Sequence, residues 1–229
     1  MAESADVQQE STEEEESEFT IEKAICSPGI TNALKAEDEE IIDFLLDGPN
    51  FAKMLKYALS VSFIEQDGFY RISRKAADVL SASCLPLQNR ISEDPGFSPF
   101  LIRFFDTEAS NNNFICANYS SIYQSFLEFT NGSLLEDTQD IIPRLIVKLD
   151  KIPFVELLCK ILTKYFNFIN DKNQFFEYIS QAIRHAGYHA IGAMTVMENY
   201  ISSLTEFNTD EPDLTCVFTS TFTAAAKDS

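Results

Sequence analysis

The sequence predicts an all-α fold made of short antiparallel helices stacked as pairs. Three observations predict it. Apolar residues recur at three- and four-residue intervals from Phe19 onward, the period of a helix with one buried face. Runs with strand-like alternation are few. Turn residues break the periodic stretches into helices of about 10–20 residues joined by short connections, which favours antiparallel neighbours.

Residues 1–18 form an acidic segment with little apolar surface, and no Lys or Arg precedes Lys23. Such a stretch cannot offset the entropy of ordering it and reads as a disordered arm. Within it Ser11 and Thr12 each have a Glu three residues later, the spacing that acidophilic kinases accept. From Phe19 the pattern turns helical. Ile41, Phe44 and Leu45 share one face, and the charges of Glu37–Glu40 just ahead of them suit the positive end of a helix dipole. Gly48 ends that helix and Pro49 suits the first turn of the next, which carries Phe51, Met54, Leu55, Ala58 and Leu59 and closes at Gln66-Asp67-Gly68.

A further helix spans 72–83. Pro86, Pro95, Gly96 and Pro99 then restrict the helices around 87–91 and 100–105 to short pieces. Residues 111–130 place Ile115, Tyr119, Ile122, Phe126 and Phe129 on one face and stop at Asn131-Gly132. Helices over 134–149, bent at Pro143, and over 154–168 follow, the second apolar on nearly two faces and therefore buried between neighbours. A final pair covers 175–186 and 190–207 with Gly187 at the break. The sequence thus divides into an acidic arm (1–18), a helical domain (19–207) and a loose tail (208–229), in which Val217, Phe218 and Phe222 fit either a strand or a docked segment.

Composition narrows the function. Apolar residues make up 45% of the 229, enough for a packed core, while the formal net charge of -19 repels phosphate backbones and anionic lipid headgroups. Neither nucleic acid nor membrane is an expected partner. Cys26, Cys84, Cys116, Cys159 and Cys216 are odd in number and widely spaced, so a reducing compartment, cytoplasm or nucleus, is expected. No secretory signal or membrane-length apolar run is present.

The chemistry-bearing motifs are absent. With only 7 Gly there is no phosphate-cradling loop, and no GxSxG or HExxH occurs. His185 and His189 stand four apart, but Gly187 lies between them and no third ligand is evident, so capping or surface roles fit better than zinc. Paired acids such as Glu39-Glu40 and Glu206/Asp210 read as solvated faces, and Phe166, Phe168, Phe175 and Phe176 read as core. No catalytic residue, cofactor or metal is expected.

The string KAEDEEIIDFL at 35–45, with Pro49 and then Leu55 following, carries a resemblance together with Ala76-Ala77-Asp78-Val79-Leu80, the Asn113–Tyr119 stretch NFICANY and the helix Ile152–Leu162. In order and spacing these segments resemble the N-terminal part of the SAPS family, regulatory subunits of the type-2A-like protein phosphatase six. The positions that carry the likeness are Lys35, Ala36, Asp43, Phe44, Leu45, Pro49, Asp78, Asn113, Ala117 and Tyr119. Departures are the Pro missing from the NFICANY segment, Ser73-Arg74 where a Tyr-Pro is common, and no agreement after about Asn167.

The resemblance implies an irregular HEAT/armadillo-like α-solenoid. It further implies a non-catalytic scaffold that holds a Ser/Thr protein phosphatase catalytic subunit and directs it to substrates, with ankyrin-repeat proteins as further partners. Phe44, Leu45, Ala117 and Leu158 are expected in the core, and exposed acids beside them are the better contact candidates. The residues alone support the broader reading of a helical adaptor for an unrelated protein.

Overall fold

The computed structural model describes residues 19–207 apart from Ala186. The arm at 1–18 with Ser11 and Thr12, the tail at 208–229 with Val217, Phe218, Phe222 and Cys216, and Asp210 lie outside the described residues. Among those described, the chain is all helical: thirteen α-helices and three 3-10 turns, with no strand.

Caps written into the sequence fix the first helices. α1 (Ile21–Cys26) starts at Thr20, whose hydroxyl accepts the Lys23 N–H at 3.4 Å. α2 (Ile30–Lys35) follows a short turn. α3 (Glu39–Leu46) starts at Asp38, whose carboxylate accepts the Glu40 and Ile41 amides at 3.1 and 3.3 Å, while Glu39 and Glu40 complement the dipole. On α3 the buried pair is Ile42 and Leu45, whereas Ile41 and Phe44 are half-buried, one position from the expected stripe. Asp47 ends α3 and also starts α4 (Gly48–Leu59), so Gly48 opens the second helix instead of closing the first. Pro49 sits in the first turn of α4, where its missing N–H costs nothing.

α5 (Phe69–Leu80) begins three residues before the expected 72, because Gly68 adopts φ 72° and turns the chain so that Phe69 is buried. α6 (Leu85–Ser92) and α7 (Phe97–Arg103) are short, as the prolines dictate. Two 3-10 turns, Phe104–Asp106 and Glu108–Asn111, lead to the central helix α8 (Asn113–Phe129). Asn112 caps α8, accepting the Phe114 and Ile115 amides at 3.0 and 3.2 Å. Asn131 (φ 50°) and Gly132 (φ 95°) end it, and a Cβ on Gly132 would lie 2.6 Å from the Phe168 ring.

The stretch 134–149 is not one bent helix. It divides into α9 (Leu134–Asp137) and α10 (Ile141–Val147), with Pro143 harmless in the first turn of the second. The break is stabilised at buried Thr138, whose hydroxyl donates to the Leu134 carbonyl at 2.6 Å and therefore accepts from the Tyr123 hydroxyl at 2.7 Å. α11 (Ile152–Tyr165) starts two residues before the expected 154 and gives way to a 3-10 turn at Phe166–Phe168. α12 (Lys172–Arg184), capped by Asp171, and α13 (Tyr188–Phe207) follow, each beginning earlier than expected, with Gly187 at φ 102° between them.

Helix packing follows chain order only in part. α1 packs on α4 and α5, which pair with each other and rest on α8; α8 packs on α11, α11 on α13, α13 on α12, and α12 on α10. The middle of this series is aromatic: Phe104 stacks on Tyr119 at 4.3 Å, and Phe154 meets Phe105 at 5.3 Å and Tyr119 at 6.0 Å. The fully buried Tyr119 donates its hydroxyl proton to the Leu101 carbonyl at 3.1 Å, so the ring brings no unpaired donor into the core. Phe175 and Phe176 are core as expected, while Phe166 and Phe168 are only half-buried at the edge.

At the N-terminal end a polar triad ties α1 to α4. The Tyr57 hydroxyl donates to the Glu22 carboxylate at 2.7 Å, and Lys53 pairs with the same carboxylate. Burial alone raises the Glu22 pKa, but the bonds from Lys53 and Tyr57 outweigh it and bring the value from 4.5 to about 2. Burial, then the bond to Glu22, pushes Tyr57 from 10.0 up to about 12. The signs give a window for each group. Glu22 stabilises the fold fully above its unfolded value of 4.5 and loses that contribution as pH falls toward about 2. Tyr57 contributes below 10.0 and loses its share as pH rises toward about 12. Thermal melts of Glu22→Gln against the parent chain should therefore show a deficit at about pH 7 that shrinks steadily toward about pH 2. A deficit independent of pH would mean that the carboxylate's charge plays no part.

Candidate protein-binding surfaces

The structure divides the resemblance-bearing positions between core and surface. Leu45 and Tyr119 are fully buried, Phe44 and Ala117 half-buried, and Lys35, Ala36, Asp43, Pro49, Asp78 and Asn113 exposed. Leu158 is buried with the first group. Phe44 meets the ring of Phe19 at 4.9 Å. Asp43 pairs with Arg90 of α6 across the surface, and Asp78 with Arg74 at 3.1 Å along α5. Such exposed pairs contribute roughly 0–1 kcal/mol each.

Two of these positions come together. Lys35 and Asp78 line a groove of about 400 Å³ between α2 and α5, with Ile30, Leu34, Val79 and Ala82 supplying apolar walls and Lys75 on the α5 side. Asp43, Pro49 and Asn113 do not line it.

A second surface lies between α10 and α12, beside the start of α13. Here a cleft of about 580 Å³ is walled by Pro143, Ile146, Val147, Tyr178 and Ala182, with His185 and His189 at its polar side. Val147 in its wall is 66% exposed, Tyr188 and Ile191 on either side of His189 in the sequence are 79% and 55% exposed, and on α11 Ile152 is 72% exposed. Two contacts hold this face together. His189 Nε2 lies 2.7 Å from the Val147 carbonyl oxygen and 3.5 Å from an Asp150 oxygen. Gly192 lies so close to the loop before α11 that a Cβ there would sit 2.2 Å from the Leu149 carbonyl oxygen.

The histidines do not share a helix. His185 caps α12 and His189 lies in the first turn of α13, so their spacing of four does not stack two imidazoles. Among the described residues no three His, Cys, Asp or Glu side chains are placed to hold a metal ion. Burial pushes the thiols of Cys116 and Cys159 up to about 11, which leaves them protonated and poor nucleophiles. Cys26, Cys84, Cys116 and Cys159 are all free thiols. Among the described residues no helix is long and apolar enough to cross a membrane.

Sequence reasoning did not single out Val147, Ile152, Tyr188 or Ile191. Their identities match those of core residues, and only the tertiary arrangement leaves them outside. No family model, curated protein or solved structure matches the chain.

Proposed function

We propose that this chain is a non-catalytic scaffold that binds another protein through its α10–α12–α13 face. More specifically, it acts as a regulatory subunit that holds a type-2A-like Ser/Thr protein phosphatase catalytic subunit and targets it. The observation that carries the binding role is the apolar-walled cleft with the more than half-exposed Val147 in its wall and Tyr188 and Ile191 flanking His189. Adjacent side chains of this kind mark contact sites, because keeping them hydrated is unfavourable once a complementary surface is within reach. The pairs α4–α5 and α12–α13, each consecutive in the chain, pack together, which supports the solenoid reading, in which a row of helix pairs offers one long binding surface. The ordered likeness to the SAPS family between Lys35 and Leu162 supports a phosphatase as the partner, and the charge of -19 disfavours nucleic acid and anionic membranes.

Binding through this face predicts a clean mutational result. The double variant Val147→Asp/Ile191→Asp places charge on two exposed positions, so its melting temperature should stay close to that of the parent chain. Its affinity for purified phosphatase catalytic subunit, measured by calorimetry, should fall by roughly tenfold or more, as for central anchors in an interface. Unchanged affinity would remove the face from the proposal.

A further inference from the structure

The groove between α2 and α5 sets positive charge into a strongly acidic molecule. Arg71, Arg74 and Lys75 fall within five residues of α5, the densest run among the 17 Lys and Arg of a chain whose formal charge is -19. With Asp78 they recur at helical spacing, and all four are exposed on one face of α5. Arg74 is paired with Asp78 at 3.1 Å. Arg71, Lys75 and Lys35 have no hydrogen-bond or ion-pair partner among the described residues. By contrast, Lys53, Arg90, Arg144, Lys151 and Lys160 each meet a carboxylate. Lys35 and Lys75 line the groove from its two helices, and Arg71 lies one turn of α5 ahead of Lys75. The acidic run Glu37–Glu40 follows Lys35 in the chain, but none of it lines the groove.

Charge, more than apolar area, decides what such a groove holds. Its apolar lining includes Ile30, Leu34 and Val79, which are only 6%, 4% and 3% exposed, so an occupant buries little further surface of theirs. They shape a seat, while the uncompensated cations supply the attraction. A volume of about 400 Å³ admits a few side chains of a peptide. Nucleic acid or an anionic lipid surface needs basic residues spread well beyond that, and the surrounding charge is negative. Lysine presents a point charge and not the planar fork that grips phosphate in bidentate fashion, and one of the two guanidinium groups on this face is already committed to Asp78. Carboxylates complement this site.

We propose that the α2–α5 groove docks an acidic segment of a partner protein, its carboxylates set against Lys35 and Lys75 and continuing to Arg71, with one apolar side chain seated against Leu34 and Val79. The groove draws on residues 30–83 and the cleft between α10 and α12 on residues 143–189, so the two surfaces share no residue. This inference is independent of what the α10–α12–α13 face binds.

Fluorescence anisotropy of the full-length chain with labelled synthetic peptides tests it. The probe has about ten residues, Glu and Asp on both sides of a single Leu, and when extended it outreaches the roughly 18 Å length of α5. It should bind at low salt and lose affinity by roughly tenfold or more at about 0.5 M salt. The same peptide with Gln and Asn in place of its acids should not bind. Lys35→Glu/Lys75→Glu should lower the affinity by roughly tenfold or more with little change in melting temperature, because both side chains are exposed. Lys56→Glu/Lys164→Glu makes the same change in net charge at exposed positions away from the groove and should leave the affinity within about twofold. Lys35→Arg/Lys75→Arg should retain binding. No binding of the acidic peptide, an equal loss in the two charge-reversed variants, or tighter binding of a single-stranded oligonucleotide of the same length would each overturn the proposal.

Discussion

Replacing Gly192 by alanine should destabilise the chain by about 3 kcal/mol, although alanine is the better helix former by about 1 kcal/mol. The added Cβ would stand 2.2 Å from the Leu149 carbonyl oxygen and 3.0 Å from the Leu149 Cβ. Backbone atoms cannot yield as a flexible side chain would, so α13 must move off the loop that precedes α11. Chemical denaturation of Gly192→Ala beside Gly48→Ala checks this, since a Cβ on Gly48 meets nothing within 4 Å. The second variant should be neutral or slightly more stable. Equal effects at both positions would mean that the α11–α13 crossing is not set by the glycine. Because His189 on the same helix contacts the Val147 carbonyl in the cleft wall, Gly192→Ala should also weaken binding through that face.

Asn118→Ala should cost about 2–4 kcal/mol. Asn118 is fully buried on α8, and its amide donates to the Ala58 carbonyl at 3.1 Å and to the Ser73 hydroxyl at 3.0 Å. Ala58 lies in the last turn of α4, where carbonyls lack an intrahelical partner. One side chain on α8 therefore closes the end of α4 and pins α5 beside it. Alanine leaves the carbonyl unpaired and opens a small cavity. For a chain of this length the loss corresponds to a fall in melting temperature of about 6–12 °C. Asn118→Asp should be worse still near neutral pH, because a carboxylate has no proton to offer Ala58 and would be buried with its charge. The amide oxygen of Asn118 accepts no hydrogen bond among the described residues, so its loss adds nothing to the cost. Full stability in Asn118→Ala would show that the α4–α5–α8 junction relies on packing alone.

Sequence patterns were legible wherever local chemistry decides the outcome. Glu39 and Glu40 lie in the first turn of α3 and Pro49 in that of α4, as their chemistry suggests, whereas the caps Asp38, Asn112 and Asp171 were not singled out. The face of α8 was readable because Ile115, Tyr119, Ile122 and Phe126 all reach zero exposure. Where a distant group decides, the pattern was silent. The break between α9 and α10 depends on Thr138 meeting Tyr123 from another helix, and Pro143 drew attention to the wrong residue. Gly192 lies inside a helical pattern and is explained only by Leu149. The candidate site was the least legible part, since exposure is a tertiary property: Ile191 and Val196 belong to one helix, yet one is 55% exposed and the other 0%. Lys35 and Asp78 were marked by resemblance, but their meeting with Lys75 required α2 and α5 to line one groove.

The most direct test of the central claim is affinity purification of the tagged full-length chain from its own cells at low salt, with mass spectrometric identification of what is retained and Val147→Asp/Ile191→Asp run in parallel. A type-2A-like phosphatase catalytic subunit should be recovered with the parent chain and lost with the double variant. Retention of other proteins with no phosphatase catalytic subunit among them would contradict the regulatory-subunit reading and leave a helical adaptor with a different partner.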